Sequence, residues 1–186
     1  MNKYRLMIVA VFTGLLVSAC ASTTLTKDID VEVQSAPGMK MNNYKSYAWI
    51  ATAQILNDPQ GQWEPRDFDA DAEIQFLIDR ELRKRGISQV DLNPDMLVAY
   101  IAGVDMEALE LKEDPKQDME VLQNNPKGTL AVLFISPVNG KALWAGVAVA
   151  DVEGKRSSED TKKRLDYAVS EMFRKLPKPL SKGSGY

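Results

Sequence analysis

The alternation of apolar and polar positions predicts that the folded part of the chain begins with two strands. Ile29, Val31 and Val33 occupy every second position of an otherwise polar segment, which is the pattern of a half-buried strand. A proline and a glycine interrupt this segment, and the sequence YKSYAWI that follows again places aromatic residues two positions apart. Residues 51–68 lose the pattern and contain two prolines and a glycine, which favours a loop.

Two later segments have the spacing of amphipathic helices. The first begins near Asp69, with Asp67 or Asp69 as its N-cap. It carries apolar residues at positions 74, 77, 78 and 82 and ends at Gly86. The second begins at a pair of serines, 157–158, either of which is a suitable N-cap, and is stopped by Pro177. Its apolar face is continuous and comprises Leu165, Ala168, Val169, Met172, Phe173 and Leu176.

Three more strands are predicted between and after the first helix. Residues 94–105 are apolar on both faces, as in a central strand, and residues 129–136 and 141–152 flank an Asn139-Gly140 hairpin turn. Gly146 inside the last strand indicates a bulge or the close approach of a bulky group. The acidic segment 106–128 contains two prolines, and we interpret it as a mobile excursion with at most a short helix around residues 118–123.

These elements follow one another in the order β-β-α-β-β-β-α. Two helices that are each apolar on one side need one face of a sheet to cover. We therefore predict an α+β domain of two layers, with a mostly antiparallel sheet of about five strands and both main helices packed on one face.

The first residues have the charge and hydropathy of an export signal. Two basic residues precede a continuous apolar run over residues 6–17. Such a run rises about 18 Å as a helix and falls short of the roughly 30 Å hydrocarbon core of a bilayer. Cys20, the single cysteine of the chain, follows directly on the small-residue sequence Val17, Ser18 and Ala19.

Residues 17–20 closely resemble a bacterial lipobox. The resemblance implies that the Cys20 thiol receives an S-diacylglycerol group, that residues 1–19 are cleaved, and that the new amino group is N-acylated. Ala21 follows the cysteine where an aspartate would retain the protein at the inner membrane. The expected location is therefore the periplasmic face of the outer membrane of a Gram-negative bacterium. We divide the chain into a signal peptide (1–19), a lipidated cysteine with its tether (20–27), one domain (28–179) and a flexible tail (180–186).

Composition narrows the chemistry of this domain. The chain has 186 residues, 45% of them hydrophobic, and a net charge of −3, which is typical of a globular domain and unfavourable for binding nucleic acid. Histidine is absent from the sequence, which removes the commonest general base and metal ligand. We predict no catalytic residue, no metal site and no cofactor beyond the covalent lipid on Cys20.

The aromatic residues offer a possible ligand site. Trp49 and Trp144 are first interpreted as core residues of strands. Together with Tyr100 they are also the principal candidates to line an apolar pocket, and Trp63 and Tyr47 are further candidates. Trp63, in a loop flanked by prolines, is the least explained of the three tryptophans.

Four segments together resemble the bacterial lipoprotein family called domain of unknown function 4136. They are YKSYAWI, NPDMLVAYIAG, KGTLAVLFISPVNGKALWAGVA and VSEMFRKLPKP, and the third contains the family's Trp-x-Gly element as Trp144-Ala145-Gly146. The resemblance implies an envelope lipoprotein with an α+β domain and supplies no catalytic residue.

The sequence therefore predicts a lipid-anchored protein of the periplasm that is not an enzyme. The first hypothesis is an interaction or envelope-maintenance module that binds another envelope component through its sheet edge or through the segment 106–128. The alternative is a carrier or sensor of a small apolar ligand held between helices and sheet, and a hydrolase is a remote third.

Overall fold

The computed structural model describes residues 25–65, 67–114, 119–153 and 156–176. For residues 112–114 and 119–121 only the backbone is described. The predicted signal peptide, the lipobox with Cys20 and the tail from residue 180 lie outside the described residues.

Two α-helices and eight strands form within these ranges. The strands before the first helix are β1 (Asp30–Ser35) and β2 (Ser46–Asn57), and that helix is α1 (Ala70–Lys84). The remaining elements are β3 (Ser88–Gln89), β4 (Met96–Asp105), β5 (Leu109–Asp114), β6 (Met119–Asn124), β7 (Lys127–Ile135), β8 (Ala142–Asp151) and α2 (Ser158–Arg174).

Six of the strands form one sheet in the order β1-β8-β7-β4-β2-β3. Neighbouring strands are antiparallel except around β2, which runs parallel to both β4 and β3. The parallel pairs arise because α1 lies between β2 and these strands in the chain, and a helical crossover returns the chain in the same direction. The predicted mixture of a large sheet with two helices is confirmed, while the strand number and order differ from the prediction.

The first difference concerns β2, which continues to Asn57 through a segment predicted to be loop. Residues 50–56 are all exposed, because β2 lies at the side of the sheet where the next strand, β3, is only two residues long. A strand that buries neither face here lacks the period-two pattern, and no strand signal is therefore present in the sequence after Ile50.

The second difference concerns the acidic segment 106–128. It forms the two-stranded hairpin β5–β6, in which Leu111 pairs with Leu122, and no helix forms at 119–124. The hairpin lies between β4 and β7, which are themselves paired from Leu97–Ile135 to Asp105–Lys127. Its alternating leucines are the strand signal that the high charge of the segment concealed.

The helix ends follow the predicted capping chemistry. Asp69 accepts a hydrogen bond from the Ala72 amide at 3.0 Å, and the Ser157 hydroxyl accepts one from the Asp160 amide at 3.1 Å. Gly86 ends the first helix with a φ of 71°. In the β7–β8 turn only Gly140 has positive φ, so the loop is not the two-residue Asn139-Gly140 turn that the sequence favoured.

The buried side chains of the strands alternate and form one cluster with those of both helices, so that both helices cover the same face of the sheet. Trp144 stacks on Phe134 at 4.7 Å between ring centroids and also contacts Phe173 of α2. A Cβ atom at Gly146 would lie 2.5 Å from the Trp144 ring, which therefore occupies the space beside this glycine. The bulky group expected near Gly146 is the tryptophan two residues before it.

The buried carboxylate of Glu81 binds two cationic side chains at the end of α1. Glu81 accepts hydrogen bonds from Lys84 at 2.7 Å and from Arg85 at 2.8 Å. Burial raises the pKa of Glu81, but the hydrogen bonds and charges of these two cations outweigh it, so that its pKa is lowered. Arg80 beside it bonds to Asp166 and Ser170 of α2, which fixes the two helices against each other.

Candidate functional site

A cavity of about 330 Å³ lies between the two helices and the sheet. The first turns of α1 and the first three turns of α2 form one wall, and the ends of β4 and β8 with the start of β7 form the other. Its volume falls at the lower end of the roughly 300–1,000 Å³ that is typical of small-molecule sites. The apolar residues of its lining include Ile29, Leu56, Trp63, Phe68, Ile74, Val104, Leu130 and Leu165.

The cavity exists because side chains on the helix-facing side of β8 become smaller along the strand. Trp144 fills the space under the C-terminal half of α2, whereas Ala148 and Ala150 leave it open farther along. The strands beside them add Gly128, which pairs with Ala150, and Ala102, which pairs with Leu130. Ala168 of α2 faces the same space, so both walls are lined by small residues at this end.

Ion pairs surround the mouth of the cavity. Arg164, whose side chain is 8% exposed, forms a two-pronged pair with Asp28 at 2.6 and 2.5 Å. The Arg164 hydrogen bonds hold the pKa of Asp28 down at about 2, although partial burial acts in the opposite direction. Arg156 pairs with Glu153 at 3.0 Å, so both guanidinium groups of the lining are already bound by carboxylates.

The loop between β2 and α1 carries two aromatic residues of the lining. Asp58 accepts hydrogen bonds from the backbone amides of Gln62 at 2.9 Å and Trp63 at 2.6 Å, which fixes the turn before the tryptophan. Phe68 lies under the Lys162 ammonium group of α2, 4.9 Å from the ring centroid. Trp63, which the sequence left without a structural role, is thus placed at this cavity.

The three principal candidates to line a pocket are placed elsewhere. Trp49 and Tyr100 contact each other edge to face at 6.1 Å, and their polar atoms donate hydrogen bonds to Asp79 and Asp71 of α1. Trp144 belongs to the separate cluster with Phe134 and Phe173. None of the three lines the cavity, because large side chains fill the part of the core that they occupy.

The cavity residues carry almost no signal in the sequence. Alanine and glycine at positions 102, 128, 148 and 150 look like ordinary strand residues until the strand register brings them together. The one available signal is the accumulation of small residues at the end of β4, at the start of β7 and at the end of β8.

A second surface is the open side of β2. Beyond its first two residues, β2 pairs on one side only, with β4, among the residues that the structure describes. Its sequence, SYAWIATAQILN, contains no charged residue, proline or glycine. Ile50, Ile55 and Leu56 are 49%, 60% and 53% exposed, so that this strand presents both unpaired backbone groups and apolar side chains.

The β5–β6 hairpin continues this apolar surface at the same end of the sheet. Leu109, Leu111 and Leu122 are each more than half exposed, and strand alternation and pairing place all three on one face of the hairpin. The Met106 amide donates a hydrogen bond to the Asn57 carbonyl, so the hairpin begins where β2 ends. We call β2 residues 48–57 the open edge and these three residues the leucine face.

The part of the chain that the structure describes contains neither a cluster of metal-ligating side chains nor a helix that could span a membrane. Among residues 25–65, 67–114, 119–153 and 156–176, no group of three or more acidic or cysteine side chains is placed to hold a metal ion. The helices in the same ranges are too short and too polar to cross a membrane.

Comparison with known families gives one match. The family model for "Domain of unknown function (DUF4136)" matches residues 31–178, which include every strand and helix described above except the first residue of β1. No curated protein matches the chain.

Several solved structures are similar to the chain at low sequence identity, and the first described here shares its fold. A DUF4136 family protein from Bacteroides thetaiotaomicron is 9% identical, with a TM-score of 0.53 over 79% of this chain and 95% of that one. The PelC dodecamer from Paraburkholderia phytofirmans is 13% identical, with a TM-score of 0.46 over 77% and 95%. A minor lipoprotein from Acinetobacter baumannii is 14% identical, with a TM-score of 0.32 over 71% and 91%.

Proposed function

The chain belongs to the DUF4136 family, whose function is unknown, and we propose that it is a lipid-anchored interaction module of the bacterial envelope. It binds an extended segment of another envelope protein, which adds as a strand along the open edge. The observation that carries this proposal is the ten-residue stretch of β2, residues 48–57, that is uncharged and unpaired on its outer side.

Soluble proteins normally protect such an edge. Lysine, proline, a bulge or a covering loop prevents another chain from pairing with the free amides and carbonyls. β2 has one register irregularity, between Trp49 and Ala51, and none of the charged or proline residues. An edge of this kind is suited to strand addition, in which backbone hydrogen bonds provide affinity and alternate side chains provide specificity.

The leucine face supports the same proposal. Leucines exposed over more than half of their surface are costly in water and are favourable at an interface. Because the hairpin begins at the end of β2, a segment that pairs with the open edge continues toward Leu109 and Leu111. The partner therefore carries an apolar, β-forming segment whose charges lie outside the paired stretch.

The lipid anchor supplies the location. Acylation of Cys20 would hold the domain within the length of its tether from the membrane, since multiple acyl chains make release slow. We place the protein at the periplasmic face of the outer membrane on the basis of Ala21. The role is one of binding, without chemistry on the partner.

Site-specific photo-crosslinking tests strand addition. A photoreactive amino acid at Ile55 is expected to capture one defined segment of a membrane or periplasmic protein in living cells, and mass spectrometry identifies that segment. The matched control is Leu92, which is 81% exposed in a loop and outside the open edge. A lysine at position 55 is expected to abolish capture from position 53 on the same strand, because it places a charge in the paired stretch.

Two results would refute strand addition. One is equal capture from positions 55 and 92, and the other is undiminished capture from position 53 in the Ile55→Lys variant. Circular dichroism of this variant confirms that the fold is retained, as expected for a change at an exposed side chain.

A second candidate function is favoured by the cavity. A volume of about 330 Å³ with a mostly apolar lining between helices and sheet is suited to carrying or sensing a small apolar ligand. The cavity lies on the helix-covered face of the sheet, and Gln54, Ile55 and Leu56 at the end of the open edge belong to its lining.

A further inference from the structure

We propose that the cavity holds a single fatty acyl chain, whose ester or amide end lies at the Arg164 rim. This inference rests on the second candidate function, the holding of an apolar ligand, and specifies the class of ligand. The wall of the cavity, the charges of its rim and the position of the N-terminal tether each support it.

The wall favours an aliphatic chain. Apart from Trp63 and Phe68 at the loop side, the apolar lining consists of alanine, valine, leucine and isoleucine side chains with exposed glycine backbone. Such a surface offers dispersion contacts along its length and few groups for orienting a polar molecule. Burying each methylene group in it is favourable, so that a chain gains affinity with length until the space is filled.

The rim favours a neutral polar end. Arg164 is bound by Asp28 and also donates to the Leu25 carbonyl, and Arg156 is bound by Glu153. A free carboxylate entering the cavity would have to displace one of these partners. The carbonyl of an ester or amide carries no charge, so it can lie beside this rim without displacing either carboxylate from its guanidinium group.

The tether enters the fold at this rim. Leu25, where the described residues begin, is held through its carbonyl by Arg164, and Ile29 belongs to the lining. Residues 20–24 span at most about 18 Å when extended, so the acylated Cys20 would lie within reach of the mouth. The chain therefore has two possible sources of the same chemistry: the anchor on Cys20 itself, or a phospholipid of the membrane to which the anchor holds the domain.

The test uses palmitate that carries a photoreactive diazirine at its terminal carbon, fed to cells that express the full chain. After illumination, peptide mass spectrometry locates the cross-links. We expect them on residues of the cavity wall around Leu130, Ile74 and Leu165. Ala148→Leu, which fills the cavity, is expected to abolish these cross-links. Ala145→Leu is the matched control, because position 145 lies on the same strand and faces the other side of the sheet.

The species joined to the cavity peptides separates the two sources. A cross-link to the peptide that carries Cys20 identifies the anchor's own chain, whereas a cross-link to a glycerophospholipid identifies a membrane lipid, and either result supports an acyl occupant. The inference is overturned if wild-type protein shows no cross-link in the cavity wall, or if Ala148→Leu leaves the cross-links unchanged. Native mass spectrometry distinguishes failure of this inference from failure of the ligand-holding function. A co-purified apolar molecule without an acyl chain would support the ligand-holding function and reject the acyl class of ligand, whereas the absence of any co-purified molecule would reject both.

Discussion

At the scale of single residues, the Trp-x-Gly element is a packing unit. The ring of Trp144 lies over Gly146, on the same face of β8, and Met172 of α2 closes the space from above, with its sulfur 3.0 Å from where a Cβ would be. The residue between them, Ala145, faces the opposite side of the sheet and is free of this constraint. The close approach at Gly146 could be predicted from the sequence, because a glycine weakens a strand interior unless a bulge or a bulky neighbour requires it.

Replacing Gly146 with alanine is expected to destabilise the protein. The new Cβ would overlap the Trp144 ring, so we expect a loss of about 1–3 kcal/mol in the free energy of unfolding, measured by urea titration. Gly103→Ala is the control on β4 of the same sheet, because its Cβ would meet only the Ile55 carbonyl at an ordinary 3.8 Å. Equal stability of the two variants would show that the ring does not occupy this space.

Asp28 is the residue whose charge matters most at the cavity rim. Its folded-state pKa of about 2 lies below the ordinary value of 3.8, so its contribution to stability is fully present above about pH 4 and is lost as the pH falls toward 2. Asp28→Asn leaves the nearly buried Arg164 without its counter-charge, and we expect a cost of about 1–3 kcal/mol at pH 7.

The pH dependence of this destabilisation shows whether it arises from loss of the ion pair between Asp28 and Arg164. The difference in melting temperature between wild type and Asp28→Asn should be constant from pH 7 to pH 5 and should shrink between pH 4 and pH 2. Asp30→Asn, an exposed change two residues away, serves as the control with little effect at any pH. A difference that stays constant down to pH 2 would contradict an ion pair between Asp28 and Arg164.

At the scale of elements, the sequence predicted the helices and strands most accurately where one side of the element is buried and the other is exposed. The first helix was predicted because Leu77, Ile78 and Leu82 lie on one helical face. The second was predicted because Met172 and Phe173 continue an apolar face from the preceding turn, and polar residues before each helix indicated its cap. β3 and the second half of β2 were missed because they bury too little to produce a pattern. β2 and β4 are parallel because the chain crosses over through α1 between them, and the local sequence pattern of a strand does not indicate its direction relative to a neighbour.

The hairpin β5–β6 is expected to be separable from the domain. Its strands pair mainly with each other, and beyond its base they add no side chain to the core cluster among the described residues. Replacing residues 108–125 with an Asn-Gly turn between β4 and β7 should therefore leave cooperative thermal unfolding intact, with a melting temperature within a few degrees of wild type. Loss of cooperative unfolding would show that the hairpin is part of the core.

At the scale of the whole molecule, the two candidate surfaces are arranged around the same end of the sheet. The cavity mouth and the start of the tether lie on the helix side, while the open edge and the leucine face lie beside and beyond the strands. The three principal aromatic candidates for a pocket instead form the filled end of the core. The sequence could not predict this division, because the cavity is defined by small residues that only the strand register unites.

The anchor is tested by one substitution. Cys20→Ser removes the only thiol of the chain, so incorporation of labelled palmitate should be lost, and the protein should remain uncut or become extractable without detergent. The control is Ser22→Ala, which changes a neighbouring hydroxyl and should keep both labelling and membrane association. Labelling that survives in Cys20→Ser would reject the lipobox interpretation.

The most direct measurement of strand addition is amide hydrogen exchange along β2 in two states of the full chain. In detergent-purified protein, the outward amides of residues 48–57, which pair with no described strand, should exchange rapidly. In native envelope vesicles the same amides should be protected, while those around Leu92 keep their rates. Equal exchange of residues 48–57 in both states would contradict the proposal that this edge is paired in the cell.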